Sequence, residues 1–388
     1  MKLNNKVIIA LFGALVPASF PSFAADAFTE VTETILASDP SVRAERARLA
    51  GEIEQLRSAN SLEGPEIGFG YKWGSEINKW DLSVSQSFDW PGVYGARRKA
   101  ARYRRYALDE SLKAYRRSKE SDIREQLIAY VASRRRLALM EEYSSNIDSV
   151  YKLSQTAYEH EQMTILDLWK VRVERELARA RCIEAGNAMK TAADRIATMN
   201  GGEAVDLERV TSYPGSAVGE YDPSSSPSLA SARWNQLAAE AESSAAGRSR
   251  YPGFSVGYVH EVEGTSHFNG FTVGITLPMW KGRSDNLAAK LMAEAAEEAA
   301  EARRRELRSD YEALRQQSAA LTAQADALEE AIGDEAKYRE LLGKALHGGT
   351  ITLHEYFGEL NSLLDARLTV EEFRASAALA AEQTRRCQ

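Results

Sequence analysis

The sequence predicts an α+β fold: long α-helices packed as coiled coils, carrying four short β-strands per chain that contribute to a shared 12-stranded transmembrane β-barrel. Three observations predict it. The chain is one pattern written twice. Its strands carry an apolar face that little else in the sequence can cover. Its helices are far longer than a globular core requires. Composition agrees. Of the 388 residues, 44% are hydrophobic and 27% charged, which excludes both a disordered chain and a helical membrane protein. The formal net charge of −7 argues against a nucleic-acid partner. Two widely separated cysteines, Cys182 and Cys387, rule out a disulfide framework and a zinc module.

Residues 1–24 read as an export signal. Lys2 and Lys6 precede an apolar run over 7–16, and Ser22-Phe23-Ala24 is a small-x-small cleavage site. The run is about ten residues, too short to span a bilayer as a helix. No later stretch reaches about 18 apolar residues, so any membrane insertion must use strands. The remainder divides into a first repeat, 25–212, and a second, 213–388. The motif Asp39-Pro40-Ser41 recurs as Ser226-Pro227-Ser228, and Gly64–Tyr71 as Tyr251–Tyr258, both 187 residues on. Thr164–Leu168 recurs as Thr352–Tyr356, 188 residues on. The Ser-, Pro- and Gly-rich stretch 201–226 is the junction.

Each repeat opens with a helix followed by two strands. In the first repeat these fall at about 66–73 and 80–89, in the second at about 253–261 and 268–277. Ile67, Phe69 and Tyr71 alternate with Gly68, Gly70 and Lys72, and Phe271, Val273 and Ile275 alternate with Thr272, Gly274 and Thr276. A period of two with one polar and one apolar face marks a half-buried strand. Trp73, Trp80, Trp90 and Trp280 fall at strand ends or just past them, as membrane-interface aromatics do. A soluble sheet packed on a core gives the same alternation, but the rest of the chain reads as charged helix. Four strands cannot close a barrel, and an open edge in lipid leaves backbone groups unpaired at several kcal/mol each. Three copies supply 12 strands. The loops over 74–79 and 262–267 are short, so the barrel's outer end is expected to be open.

The long helices are expected over 97–160 and 284–347, each roughly 95 Å. Leu108, Leu112, Tyr115, Ile123, Leu127 and Tyr130 recur mainly at three- and four-residue steps, which gives a seam for a second helix. Turns at 160–167 and 347–355 then lead into a second long helix in each repeat.

With the duplication, the two hairpins, the strand exits Gln86-Ser87-Phe88-Asp89-Trp90-Pro91-Gly92 and Leu277-Pro278-Met279-Trp280, and the tip Gly349–Glu355, the chain resembles the TolC family of trimeric outer-membrane export channels. The Trp-Pro-Gly exit is also similar to CzcC-like metal-efflux members. The first-half tip, Glu161–Asp167, lacks the family's glycine. The resemblance implies a homotrimer with its barrel among outer-membrane lipids and a 12-helix tunnel across the periplasm. It implies partners too: a periplasmic adaptor, or membrane fusion protein, and an inner-membrane pump. The chain would be a passive conduit.

The family narrows its tunnel with acids just past the second tip. Aligned on Gly349-Thr350, this places Glu355 as a candidate constriction residue, with Glu359 beside it and Asp167 as the first-half counterpart. An acid in the first turn of a helix also offsets the helix dipole, the competing role for these carboxylates. His160, Glu161, Met163 and Thr164 on one tip, with His347, Gly348, Gly349 and Thr350 on the other, are the candidate adaptor-docking residues. Arg97, Arg98, Lys99, Arg102, Arg104 and Arg105 form a basic cluster just past the second strand, placed either to meet lipid phosphates or as a solvated helix start. No Gly-x-Ser-x-Gly, phosphate loop or helical metal spacing occurs, so the sequence supports neither an enzyme nor a cofactor or metal site. A soluble periplasmic coiled-coil adaptor or scaffold is the competing reading. Adaptors, however, have a single hairpin, not a tandem duplication with aromatic-ended strands.

Overall fold

Alternating strands and near-continuous helix formers divide the chain sharply. The computed structural model describes residues 22–59, 61–74, 78–215, 218–278 and 282–388. The expected export signal lies outside the described residues up to residue 21, as do Met279 and Trp280. Helices α1 (Ser22–Ser38) and α2 (Pro40–Ala59) lead into strands β1 (Glu66–Lys72) and β2 (Lys79–Phe88). Helix α3 (Pro91–Glu159) and helix α4 (Ile165–Met199) follow. Helix α5 (Pro227–Arg248), strands β3 (Gly253–Glu263) and β4 (Ser266–Thr276), and helices α6 (Gly282–Ile332), α7 (Glu335–His347) and α8 (Leu353–Cys387) complete the chain.

The strands form one antiparallel sheet in the order β1-β2-β3-β4. Register aligns Ile67, Val84, Tyr258 and Phe271 in one row, and Phe69, Leu82, His260 and Asn269 in the next. The rows of the opposite face are mostly small or polar: Glu66, Ser85, Gly257, Thr272, and Gly68, Ser83, Val259, Gly270. Among the described residues no helix packs extensively on the sheet. Phe271 is 85% exposed and Ile67 71%, so the apolar face is uncovered among the described residues.

Helix α3 packs on α4 and on α8, and α8 packs on α6. The four long helices therefore lie side by side in the order α4-α3-α8-α6, with α5 wedged between α3 and α6. Buried side chains follow these seams. Ile123, Leu127, Ile128 and Val131 of α3 meet Phe28 and Ile35 of α1 and Ile196 of α4. Nearer the tips, Met140, Tyr143 and Ile147 meet Val171, Tyr356, Phe357 and Leu360. Among the described residues no helix is long and apolar enough to cross a membrane.

Two expectations need correction. The first long helix starts at Pro91, six residues before the expected 97, because proline at the first helical position lacks only an N–H that has no helical partner there. The second, expected unbroken over 284–347, stops at Ile332 and restarts at Glu335. Gly333 sits at φ 62°, and Asp334 caps the new helix by accepting from the Lys337 backbone N–H at 3.1 Å. Glycine is a poor helix former and aspartate a strong N-cap, so the pair ends one helix and begins another.

Candidate functional site

The two helical hairpins end in turns built alike. In the first, the backbone N–H groups of His160, Glu161 and Gln162 donate to Thr156, Tyr158 and Ala157 carbonyls at 3.1, 3.0 and 2.8 Å. In the second, Gly348, Gly349 and Thr350 donate to Lys344, Leu346 and Ala345 at 2.8, 3.1 and 3.0 Å. Each pair of positions is separated by 188 residues. Gly349 adopts φ 68° and its counterpart Glu161 adopts φ 61°, the one non-glycine residue at positive φ among the described residues. The absent glycine therefore leaves the turn unchanged: Glu161 takes the left-handed conformation instead.

The following helices start alike as well. Thr164 caps α4, its Oγ1 accepting from the Asp167 N–H at 3.2 Å. Thr352 caps α8, accepting from the Glu355 N–H at 3.2 Å, while Glu355 Oε2 accepts from the Thr352 N–H at 2.7 Å. This is a reciprocal capping box, and it satisfies two helix-terminal donors. The backbone and hydroxyl hydrogen bonds from Thr352 hold the Glu355 carboxyl below its ordinary range. Hydrogen bonds from Thr164, then Lys170, do the same for Asp167. Within one chain both acids thus perform the competing role, as cap residues, while their side chains remain at the surface of the tip. Glu359 is exposed and accepts from the Tyr338 hydroxyl at 2.7 Å.

His160, Glu161, Thr164, His347, Gly348, Gly349 and Thr350 are exposed, and Met163 is half-buried. Shared packing of α3, α4 and α8 brings both turns to the same end of the molecule. The aromatics lie far from them, at the sheet. Trp73 is 80% exposed just beyond β1. Trp80 lies inside β2, second from its start, and packs on Phe69 at 6.4 Å. Trp90 precedes α3 and packs, tilted, against Tyr251 and Phe254 at 5.4 and 6.1 Å between ring centroids. In the basic cluster Arg97 pairs with Asp89 at 2.7 Å and Arg104 donates to Asn235, while Arg98, Arg102 and Arg105 stay exposed.

Two groupings escaped the sequence reading. Helix α4 buries Val171, Ala178 and Ala185 on one face and exposes Leu166, Trp169, Val173 and Leu177 on another. Apolar residues on two faces of one helix were the available signal. Near the helix break, Glu142 of α3 pairs with Arg339 of α7 and Arg367 of α8, each at 2.7 Å, and Glu335 pairs with both arginines. Burial opposes ionisation of Glu142, but the two guanidinium groups hold its carboxyl below the usual range.

Residues 31–202 match the family described as outer membrane efflux protein. The similarity spans most of the first repeat and stops at the junction between the two halves. That similarity supports an efflux channel subunit of the outer membrane, a passive conduit rather than an enzyme. The match covers the first hairpin and the first pair of long helices, whose turn geometry the second half repeats. A search of curated proteins finds no match. Solved structures share the fold. A membrane protein from Pseudomonas aeruginosa aligns with TM-score 0.80 and 16% identity, covering 100% of this chain and 98% of that one. The outer membrane protein VceC from Vibrio cholerae aligns at 0.77 and 15%, covering 93% and 96%. The MtrE outer membrane channel of Neisseria gonorrhoeae, in its open state, aligns at 0.73 and 15%, covering 93% and 88%.

Proposed function

We propose that three copies of this chain close head to tail into one channel, a 12-stranded barrel in the outer membrane continued by a 12-helix tunnel through the periplasm. The observation that carries it is the pair of unpaired sheet edges, β1 on one side and β4 on the other, on a sheet whose apolar face is uncovered. In hydrocarbon those edges need partners, and a second copy offers the complementary edge. The helical layer supports the same closure. Its edge helices α4 and α6–α7 carry exposed apolar residues, Leu166, Trp169, Val173 and Leu177 against Leu287, Leu291 and Leu341. A head-to-tail contact closes into a ring when its rotation allows.

On this reading the two tips form the periplasmic mouth. His160, Glu161, Met163, Thr164, His347, Gly348, Gly349 and Thr350 face a periplasmic adaptor, through which the channel serves an inner-membrane pump. Three copies each of Glu355, Glu359 and Asp167 ring the mouth and favour cations. Trp73, Trp80, Trp90 and Trp280 belong to the membrane interfaces. Fractionation tests the assignment. The channel reading expects recovery from detergent extracts of the outer membrane, whereas recovery in the soluble periplasm would favour a scaffold and reject it. In planar bilayers, Glu355→Gln should lower cation preference; an unchanged preference removes Glu355 from the ring.

A further inference from the structure

Two of the five histidines meet near the β3–β4 turn. The hairpin closes through Gly264 and Thr265, between the paired residues Glu263 and Ser266. That register sets His260 opposite Asn269 and Val262 opposite His267. The two histidines are therefore diagonal neighbours on one face of the sheet. Their rings lie 5.6 Å apart, centroid to centroid, at 23°. Two imidazoles sharing one tetrahedral zinc, each bound at about 2.0–2.1 Å, have centroids about 5 Å apart.

The surroundings of His260 point the same way. Its Nδ1 lies 2.8 Å from Asn269 Oδ1, an amide oxygen that can only accept, so Nδ1 carries the proton and Nε2 keeps its lone pair. The Tyr258 hydroxyl donates to the same oxygen at 2.6 Å and fixes the amide. The Trp80 ring packs edge-on against His260 at 5.7 Å. An imidazole that donates one ring N–H to an oxygen and offers its other nitrogen has the outer-shell support of a metal ligand. His267 is exposed, and among the described residues none hydrogen-bonds to its ring.

We propose that His260 and His267 form a two-histidine site for a divalent transition metal of the zinc class, bound through Nε2 of His260 and one ring nitrogen of His267. Among the described residues no group of three or more His, Cys, Asp or Glu is placed to hold a metal. The chain thus supplies two ligands, and water or an outside donor fills the other positions. Asn269 is a positioning residue that sets the His260 tautomer. The site rests on the β3–β4 register and on the placement of these side chains, and stands apart from the channel reading.

Calorimetric titration of zinc into the detergent-solubilised protein tests it. One zinc per chain is expected, with affinity falling at least tenfold in His260→Ala and in His267→Ala. His260→Asn and His267→Asn, closer in size, serve where alanine unsettles the strand. Asn269→Leu should weaken binding about tenfold, the usual cost of losing an outer-shell partner, while Asn269→Asp retains it. Absence of zinc binding up to millimolar concentration, or binding that persists unchanged when both histidines are replaced, would overturn the site.

Discussion

Glu161 holds a left-handed backbone conformation that costs an ordinary L-residue about 1–2 kcal/mol, at the position where the second hairpin has Gly349. Replacing it with glycine relieves that strain but returns about 0.5–1 kcal/mol of backbone entropy to the unfolded chain. Glu161→Gly is therefore expected to stabilise the protein by about 0.5–1 kcal/mol, read as a higher denaturation midpoint, and Gly349→Glu to destabilise it. Glu355 makes a pH-dependent contribution of the opposite kind. Its folded carboxyl titrates below its ordinary value, so the stability it adds is fully present above the unfolded pKa of about 4.3 and is lost as pH falls through the folded value. Wild type and Glu355→Gln should differ in thermal stability at neutral pH and converge in strong acid. The acids Glu355 and Asp167 marked both helix starts in the sequence, while their threonine caps, Thr352 and Thr164, emerge only from the structure. Nothing local to Glu161 announces positive φ; the repeat offset alone links it to Gly349.

At the scale of elements, α3 and α8 are joined by a buried ion pair as well as by apolar packing. Arg124 Nη1 lies 3.6 Å from Glu382 Oε2, with the side chains 7% and 3% exposed. Burial pushes the Glu382 carboxyl up, against the pull of Arg385 and Arg124. Removing the arginine would leave a buried acid with only the half-exposed Arg385 to answer it. Arg124→Ala should therefore destabilise by about 3 kcal/mol at neutral pH, with a smaller loss as pH falls through the raised Glu382 value and the acid becomes neutral; chemical denaturation over a pH series measures both. Strand pairing and the polar and apolar faces were legible because alternation with period two survives any tertiary context. The break after Ile332 was not. Gly343 lies in an equally helical stretch and stays inside α7, so glycine alone does not mark a break. What ends α6 is glycine followed at once by a capping aspartate, a two-residue signal that helix periodicity masks.

At the scale of the whole molecule, the features that look incomplete in one chain share a direction. The sheet ends in two unpaired edges, its apolar face is bare, and the helical layer ends in helices with a second apolar face. The duplication and the length of the helices could be read from residue order, because repeats and uninterrupted helix formers are local facts. The order α4-α3-α8-α6, which fixes the helices at the edges, could not; it depends on contacts between residues over 200 positions apart, such as Arg124 with Glu382. Native mass spectrometry of the detergent-solubilised protein tests the central claim most directly. A single species of three times the mass of the mature chain is expected, falling to unfolded monomer when the assembly is disrupted. A folded, membrane-inserted monomer would contradict it.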